Sequence, residues 1–277
     1  MIASPTRTNH GATGRIIAGQ MIGADILKLR RHRPTMVAAA VLSVGITVLY
    51  LGIILMRHNG ELPGTQTLAD GTSLMGLYFG SFAAILIGAQ AGTTDLTTGV
   101  FRDLAATGRS RVALFLARVP AAVAVALLFT LTGFLISVAA AFVFHGSAPA
   151  PGLGLVLRSG GWVVLATTVV TTLAVGVGSL TGSRPITLTA IIGWQTIASG
   201  MLYLAQFLGA ARDLVLMFAL TRFLPADAIG SKTHPGSSNA LINFKLAMPV
   251  AVATLVLVAW IVVPIIAGAW RTQTRDA

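Results

Sequence analysis

Few residues of this chain are arranged for chemistry. Gly230-Ser-Lys-Thr233 has the ending of a phosphate-binding loop, but that loop needs Gly-x-x-x-x-Gly-Lys-Ser/Thr after a strand, and Ser231 stands where a second glycine is required. No other lysine precedes Ser or Thr, so the sequence offers no Walker-type nucleotide site. His10, His32, His58, His145 and His234 lie in termini and loops, never four apart on one helix, and cysteine is absent. Neither a metal centre nor a disulfide framework is expected from such a set. No Gly-x-Ser-x-Gly elbow supplies a nucleophile. The chain does not read as an enzyme.

The remaining polar candidates are uncharged and sit inside apolar runs. Thr189, Gly193, Thr196 and Gly200 form one helical stripe, and Gln195, Ser199, Tyr203 and Gln206 form an adjoining one. Gln90 is a similar residue near the end of an earlier run. Such groups must face protein, water or a solute, so they either bond between helices or line a translocation cavity. Gly76, Gly80, Ala84, Gly88 and Gly92 recur every four residues, the spacing that lets helix backbones approach closely in lipid. Their expected role is packing, against the fifth span or a second copy of the chain. Ala174, Gly178 and Gly182 repeat the theme.

The elements that hold these residues follow from composition. Of 277 residues, 55% are apolar and only 10% are Asp, Glu, Lys or Arg, against roughly 25% charged in an average soluble domain. The mean hydropathy is +0.83. Windows 34–56, 71–94, 119–157, 159–183, 185–211 and 246–270 contain no charged side chain. Each exceeds the roughly 20 residues that cross a bilayer as a helix, and none alternates as a transmembrane strand would. Six spans are expected, at about 36–56, 72–92, 120–144, 161–182, 185–208 and 247–270, with no titratable residue in any of them. That absence argues against proton-coupled carriers and intramembrane enzymes.

With both termini cytoplasmic, thirteen basic residues fall in the inner segments and six in the outer ones, and the cluster Lys28–Arg33 abuts the first span. The net charge of +11 therefore points to anionic lipid rather than nucleic acid. Residues 1–13 read as a flexible, polar N-terminus without the apolar core of a signal peptide. Residues 14–33 read as an amphipathic helix in the membrane interface, with Ile17, Ala18, Met21, Ile22, Ile26 and Leu29 on one face and Gln20, Asp25, Arg30 and Arg31 on the other. Pro34 is expected to end it. Sixteen arginines against three lysines fit a GC-rich bacterial source. Between the last two spans, residues 214–224 are apolar but too short to cross, which suits a re-entrant or interfacial helix.

The connection between spans two and three is the most informative segment. Thr94 or Asp95 can cap a short helix with Leu96, Val100 and Leu104 on one face. Gly108 can end it before the basic pair Arg109 and Arg111. This segment resembles the first cytoplasmic loop of ABC-2-type permeases, the membrane subunits of ATP-binding-cassette exporters. Those loops commonly show an acidic residue, Gly-Thr-hydrophobic-Arg, Thr-Pro-x-Ser-Arg and Ala-Lys. Here stand Asp95, Gly99-Val-Phe-Arg102, Thr107-Gly-Arg-Ser-Arg111 and Ala117-Arg118, with Asp for Glu, Gly108 for Pro and Arg118 for Lys. The layout of entry helix, six spans and a long last loop is similar too.

The resemblance implies an all-α polytopic fold over 34–277 and a coupling helix whose Asp95, Gly99, Arg102, Asp103, Arg109 and Arg111 contact a separate ATPase subunit. It also implies a second permease protomer, the same or homologous, and ATP and Mg held by the ATPase rather than by this chain. Location in a bacterial cell membrane and export of a lipophilic or amphipathic solute follow as expectations. The alternatives are an ion-coupled secondary carrier and a non-transporting membrane sensor or scaffold.

Overall fold

The computed structural model describes residues 10–57, 64–97, 110–147, 149–198, 214–225 and 248–274, and side chains from residue 19 onward except 95–97 and 198. Among the described residues the chain is helical and contains no strand. Five helical stretches are long and apolar enough to cross a membrane: Arg33–Arg57, Gly64–Thr94, Arg111–Val143, Leu153–Thr181 and Val250–Thr274. These are compatible with a multi-pass membrane protein.

Helix α1 covers His10–Arg31. Leu29 on its apolar face is buried and Ile26 packs against the core, while Gln20, Arg30 and Arg31 are exposed. Pro34 does not simply end this helix. His32 steps out of helical geometry, and Pro34 opens α2 (Arg33–Arg57), where its missing N–H has no intrahelical partner to lose. Within α2, residues Val41–Gly45 widen into a π-turn, and the Ser43 and Thr47 hydroxyls donate to the Ala39 and Ser43 carbonyls at 2.6 Å. One side of α2 stays bare, with Val41, Leu49 and Met56 exposed.

The second span departs from expectation in two ways. It starts at Gly64 rather than 72, and it is broken: α3 covers Gly64–Gly76 and α4 covers Phe79–Thr97. Polar residues at 65–73 look like a loop in sequence, but Thr67 and Thr72 are buried and Thr72 donates to the Leu68 carbonyl at 2.7 Å. Helix α5 (Arg111–Val143) begins nine residues before the expected span, so Arg111 is its first residue rather than part of a turn, and Arg118 lies within it, 3% exposed. Asp70 lies inside α3, so the expectation of spans without titratable groups fails at these two positions.

Helix α6 (Leu153–Thr181) fills the centre, contacting α3, α4, α5 and α9 (Val250–Thr274). Gly182 closes α6 in the left-handed conformation at φ 66°, its N–H donating to the Gly178 carbonyl at 2.9 Å. Helix α7 (Arg184–Gly193) runs into a second π-turn at Trp194–Ala198, and the expected fifth span continues beyond the described residues. Helix α8 (Leu216–Arg222) occupies the short apolar stretch before the last span. It is pinned by Trp162 Nε1 donating to the Leu220 carbonyl at 2.8 Å and by Arg222 Nε donating to the Met248 carbonyl at 2.9 Å.

Candidate functional site

The break between α3 and α4 is where backbone leaves the helix inside a membrane-length element. A carbonyl freed at such depth must find a donor, because hydrocarbon offers none. The Leu77 carbonyl finds one 118 residues away, where Gln195 Nε2 donates to it at 2.7 Å. The Ser81 hydroxyl takes the Gly76 carbonyl at 2.6 Å. A Cβ on Gly76 would overlap the Trp162 ring, and one on Gly80 would overlap the Met75 backbone, so both glycines let the chain turn in a crowded place. Gln195 itself sits on the π-turn that follows α7, a widening that lets its amide reach across to α3 and α4.

Gln195 also borders a narrow apolar pocket of about 20 Å³ between α6, α7 and α8, with Trp194, Leu173 and Leu220 among its walls. Thr196, its neighbour, turns away: its hydroxyl donates to the Ile192 carbonyl of its own helix at 2.7 Å, in an exposed position. The two stripes read in sequence are therefore not equivalent over their described parts, since Gln195 bonds between helices and lines a pocket while Thr196 does neither. Ser199, Tyr203 and Gln206 lie outside the described residues. Trp194 meets Trp260 of α9 with ring centroids 6.3 Å apart, and Trp260 Nε1 donates to the Leu214 carbonyl at 2.9 Å, tying three elements together beside the pocket.

A second polar locus lies at the end of the bundle where α1, α4 and α5 meet. Gln90, 5% exposed, accepts from Thr35 Oγ1 at 3.4 Å and donates from Nε2 to Thr94 Oγ1 at 2.7 Å. Asp25, Lys28, His32, Thr94 and Arg118 line the same crevice, and Lys28 approaches Asp25 at 3.9 Å. This is not the environment of Gln195. Gln90 is knitted among polar and charged side chains near a helix end, whereas Gln195 works in an apolar wall.

Of the expected coupling residues, Asp95 lies in the last turn of α4 and Arg111 opens α5. Gly99, Arg102, Asp103 and Arg109 lie outside the described residues. The segment between is thus anchored on two helices that pack against each other and against α6.

Among the described residues, Gly76, Gly88 and Gly92 of the small-residue stripe face α6 rather than α7, where the expected fifth span begins. A Cβ on Gly88 would press on Ala174 and the Thr171 carbonyl, and one on Gly92 would meet the Val175 carbonyl and Gly178. Ala84 is fully buried. Sequence periodicity marks the face of a helix but does not name its neighbour.

Sequence reading missed Asp70 and Arg118. Tyr50 of α2 donates its hydroxyl to Asp70 Oδ2 at 2.7 Å, linking α2 to α3. Spans expected at 72–92 and 120–144 leave both charges outside the membrane, because each sits just outside a charge-free window. The usable signal lay in helical phase: Asp70 falls four residues before Leu74, and Arg118 four before Ala122, each continuing a helix that the window cut short. Among the described residues no three His, Asp or Glu side chains converge as a metal site would require. No family model matches the chain, and no curated protein matches it in sequence.

Proposed function

We propose that this chain is the membrane-spanning permease subunit of an ATP-binding-cassette exporter of the ABC-2 type. It has six spans, the fifth continuing past residue 198, and α1 rides in the interface with both termini in the cytoplasm of a bacterial cell. It pairs with a second permease protomer and with separate ATPase subunits that hold ATP and Mg. The cargo is lipophilic or amphipathic, in keeping with the uncharged wall beside Gln195.

One observation carries the reading. The loop that resembles a coupling helix leaves the end of α4 and returns at the start of α5, and α4 is seated on α6 through Gly88 and Gly92. A partner pushing on that loop would therefore move the centre of the bundle rather than a peripheral tail. ATP binding would shift the loop, and the stroke would reach the break at Leu77–Tyr78, where a single side-chain amide, that of Gln195, supports the freed Leu77 carbonyl. By differential affinity the cargo must bind the inward state more tightly than the outward one.

The test is replacement of Arg102 and Asp103 together by alanine. Stimulated ATP hydrolysis by the partner should persist without transport, or the partner should no longer co-purify, while membrane insertion is unchanged. Unaltered transport and assembly would remove the coupling role from this loop. Purified chain free of any partner should hydrolyse no ATP.

Asp70 favours a second reading, a carrier driven by an ion gradient, because it places a carboxylate within a membrane-length helix against Tyr50. Flux that depends on a proton or sodium gradient, needs no ATP and disappears in Asp70→Asn would support that reading over the first.

A further inference from the structure

Two apolar grooves run beside α5, one toward each end, and charge sets them apart. The groove between the later part of α2 and α5 has a volume of about 370 Å³ and is walled by side chains such as Val48, Leu51, Ile136 and Val143, with no charged residue on its lining. The groove between α1, the start of α2 and α5 is larger, about 550 Å³, and is walled by Ile26, Met36, Val125, Leu128 and Phe129, but Arg30 stands on its edge. Ile26 and Arg30 are four apart on α1, so aliphatic wall and guanidinium share one stripe of that helix. Leu128 is 62% exposed, and Arg30 is exposed as well. Arg30 makes no ion pair among the described residues, whereas Lys28 approaches Asp25. Lys28, Arg31 and Arg33 add three more positive charges within three residues.

We propose that this groove is a binding site for an anionic phospholipid, with an acyl chain along Leu128 and Phe129 and the phosphate on Arg30. An apolar wall this long has no use for free phosphate. A plain hydrocarbon surface, as at the other groove, has no use for a guanidinium. A guanidinium gives a phosphate two parallel charge-assisted bonds, and basic residues at the edge of a pocket between spanning helices select lipids of net negative charge. A zwitterionic lipid brings its own ammonium into this cluster of cations and gains less. The site depends on the chain lying in a bilayer and not on its having an ATPase partner, so it stands or falls apart from the transport reading.

The full chain is reconstituted into vesicles of equimolar phosphatidylcholine and phosphatidylglycerol, extracted in mild detergent, and its retained lipid is identified by native mass spectrometry. Wild type should retain phosphatidylglycerol in preference to phosphatidylcholine. Arg30→Ala should lower that preference about fivefold, the equivalent of about 1 kcal/mol for one basic residue at the headgroup level. Arg30→Lys should restore part of it. Arg57→Ala, exposed at the far end of α2, should leave it unchanged. Ala124→Trp, which fills the groove from an exposed position on α5, should reduce retained lipid of both kinds. An unchanged preference in Arg30→Ala overturns the site. An equal loss in Arg57→Ala overturns it too, because it would reduce the effect to diffuse charge. Arg30 and Arg57 are exposed, so these two variants decide the matter even if Ala124→Trp does not fold.

Discussion

The α4–α6 seam and the α3–α4 break lie on the same span and hold it in opposite ways. At the seam, glycines bring two backbones into contact: Gly92 faces the Val175 carbonyl and Gly178, and hydroxyls such as Thr171 and Ser179 turn back onto carbonyls of their own helix. Its cohesion is steric, dispersion between closely packed surfaces that lipid cannot match. At the break, the freed Leu77 carbonyl is held by one amide, Gln195, reaching from another helix. A steric seam moves as a unit or separates. A polar support can be exchanged for another donor at small cost. The difference assigns rigidity to the half of the span that leads to the loop after α4, and adjustability to its middle.

Breaking the seam should have the largest effect. Gly92→Leu drives a side chain into the backbone of α6 and is expected to destabilise the protein by about 3 kcal/mol, seen as loss of a monodisperse peak and a lowered melting temperature in detergent. Removing the support at the break should cost less. Gln195→Leu leaves the Leu77 carbonyl without its donor, at about 1–2 kcal/mol, and by the same token should alter transport more than a seam variant of equal stability. Tyr50→Phe, which deletes the hydroxyl donated to Asp70, should lower stability by about 1 kcal/mol in the same melting assay. At the bottom of the scale, Thr196→Ala removes a hydroxyl bonded only within its own helix and should shift stability by no more than about 0.5 kcal/mol. If Thr196→Ala matched Gln195→Leu, the distinction drawn between the two stripes would fail.

Much of the architecture was legible in the sequence because hydropathy over a window of about 20 residues reports burial in lipid directly. The helices at 33–57, 153–181 and 250–274 lie within a few residues of expectation on one side and up to eight on the other. The errors share a cause. Thr65, Gln66 and Asp70 look like loop residues, and Arg118 looks like an inner flank, yet each continues a helix whose neighbours accommodate it. No Pro marks the break at Leu77–Tyr78, and Gln195, the residue that makes it tolerable, is 118 positions away. Local pattern carries no trace of such a pair. Gln195 was legible as a polar group needing a partner, but the identity of that partner was not.

The most direct test of the central claim is affinity purification of the tagged chain from its native membranes in mild detergent, with ATP hydrolysis measured on the eluate before and after a high-salt wash that strips peripheral subunits. The account predicts hydrolysis carried by a second, nucleotide-binding polypeptide, lost with that polypeptide on washing and uncoupled from transport by the Arg102→Ala, Asp103→Ala pair. Transport that proceeds with no such polypeptide bound, driven by an ion gradient alone, would contradict it.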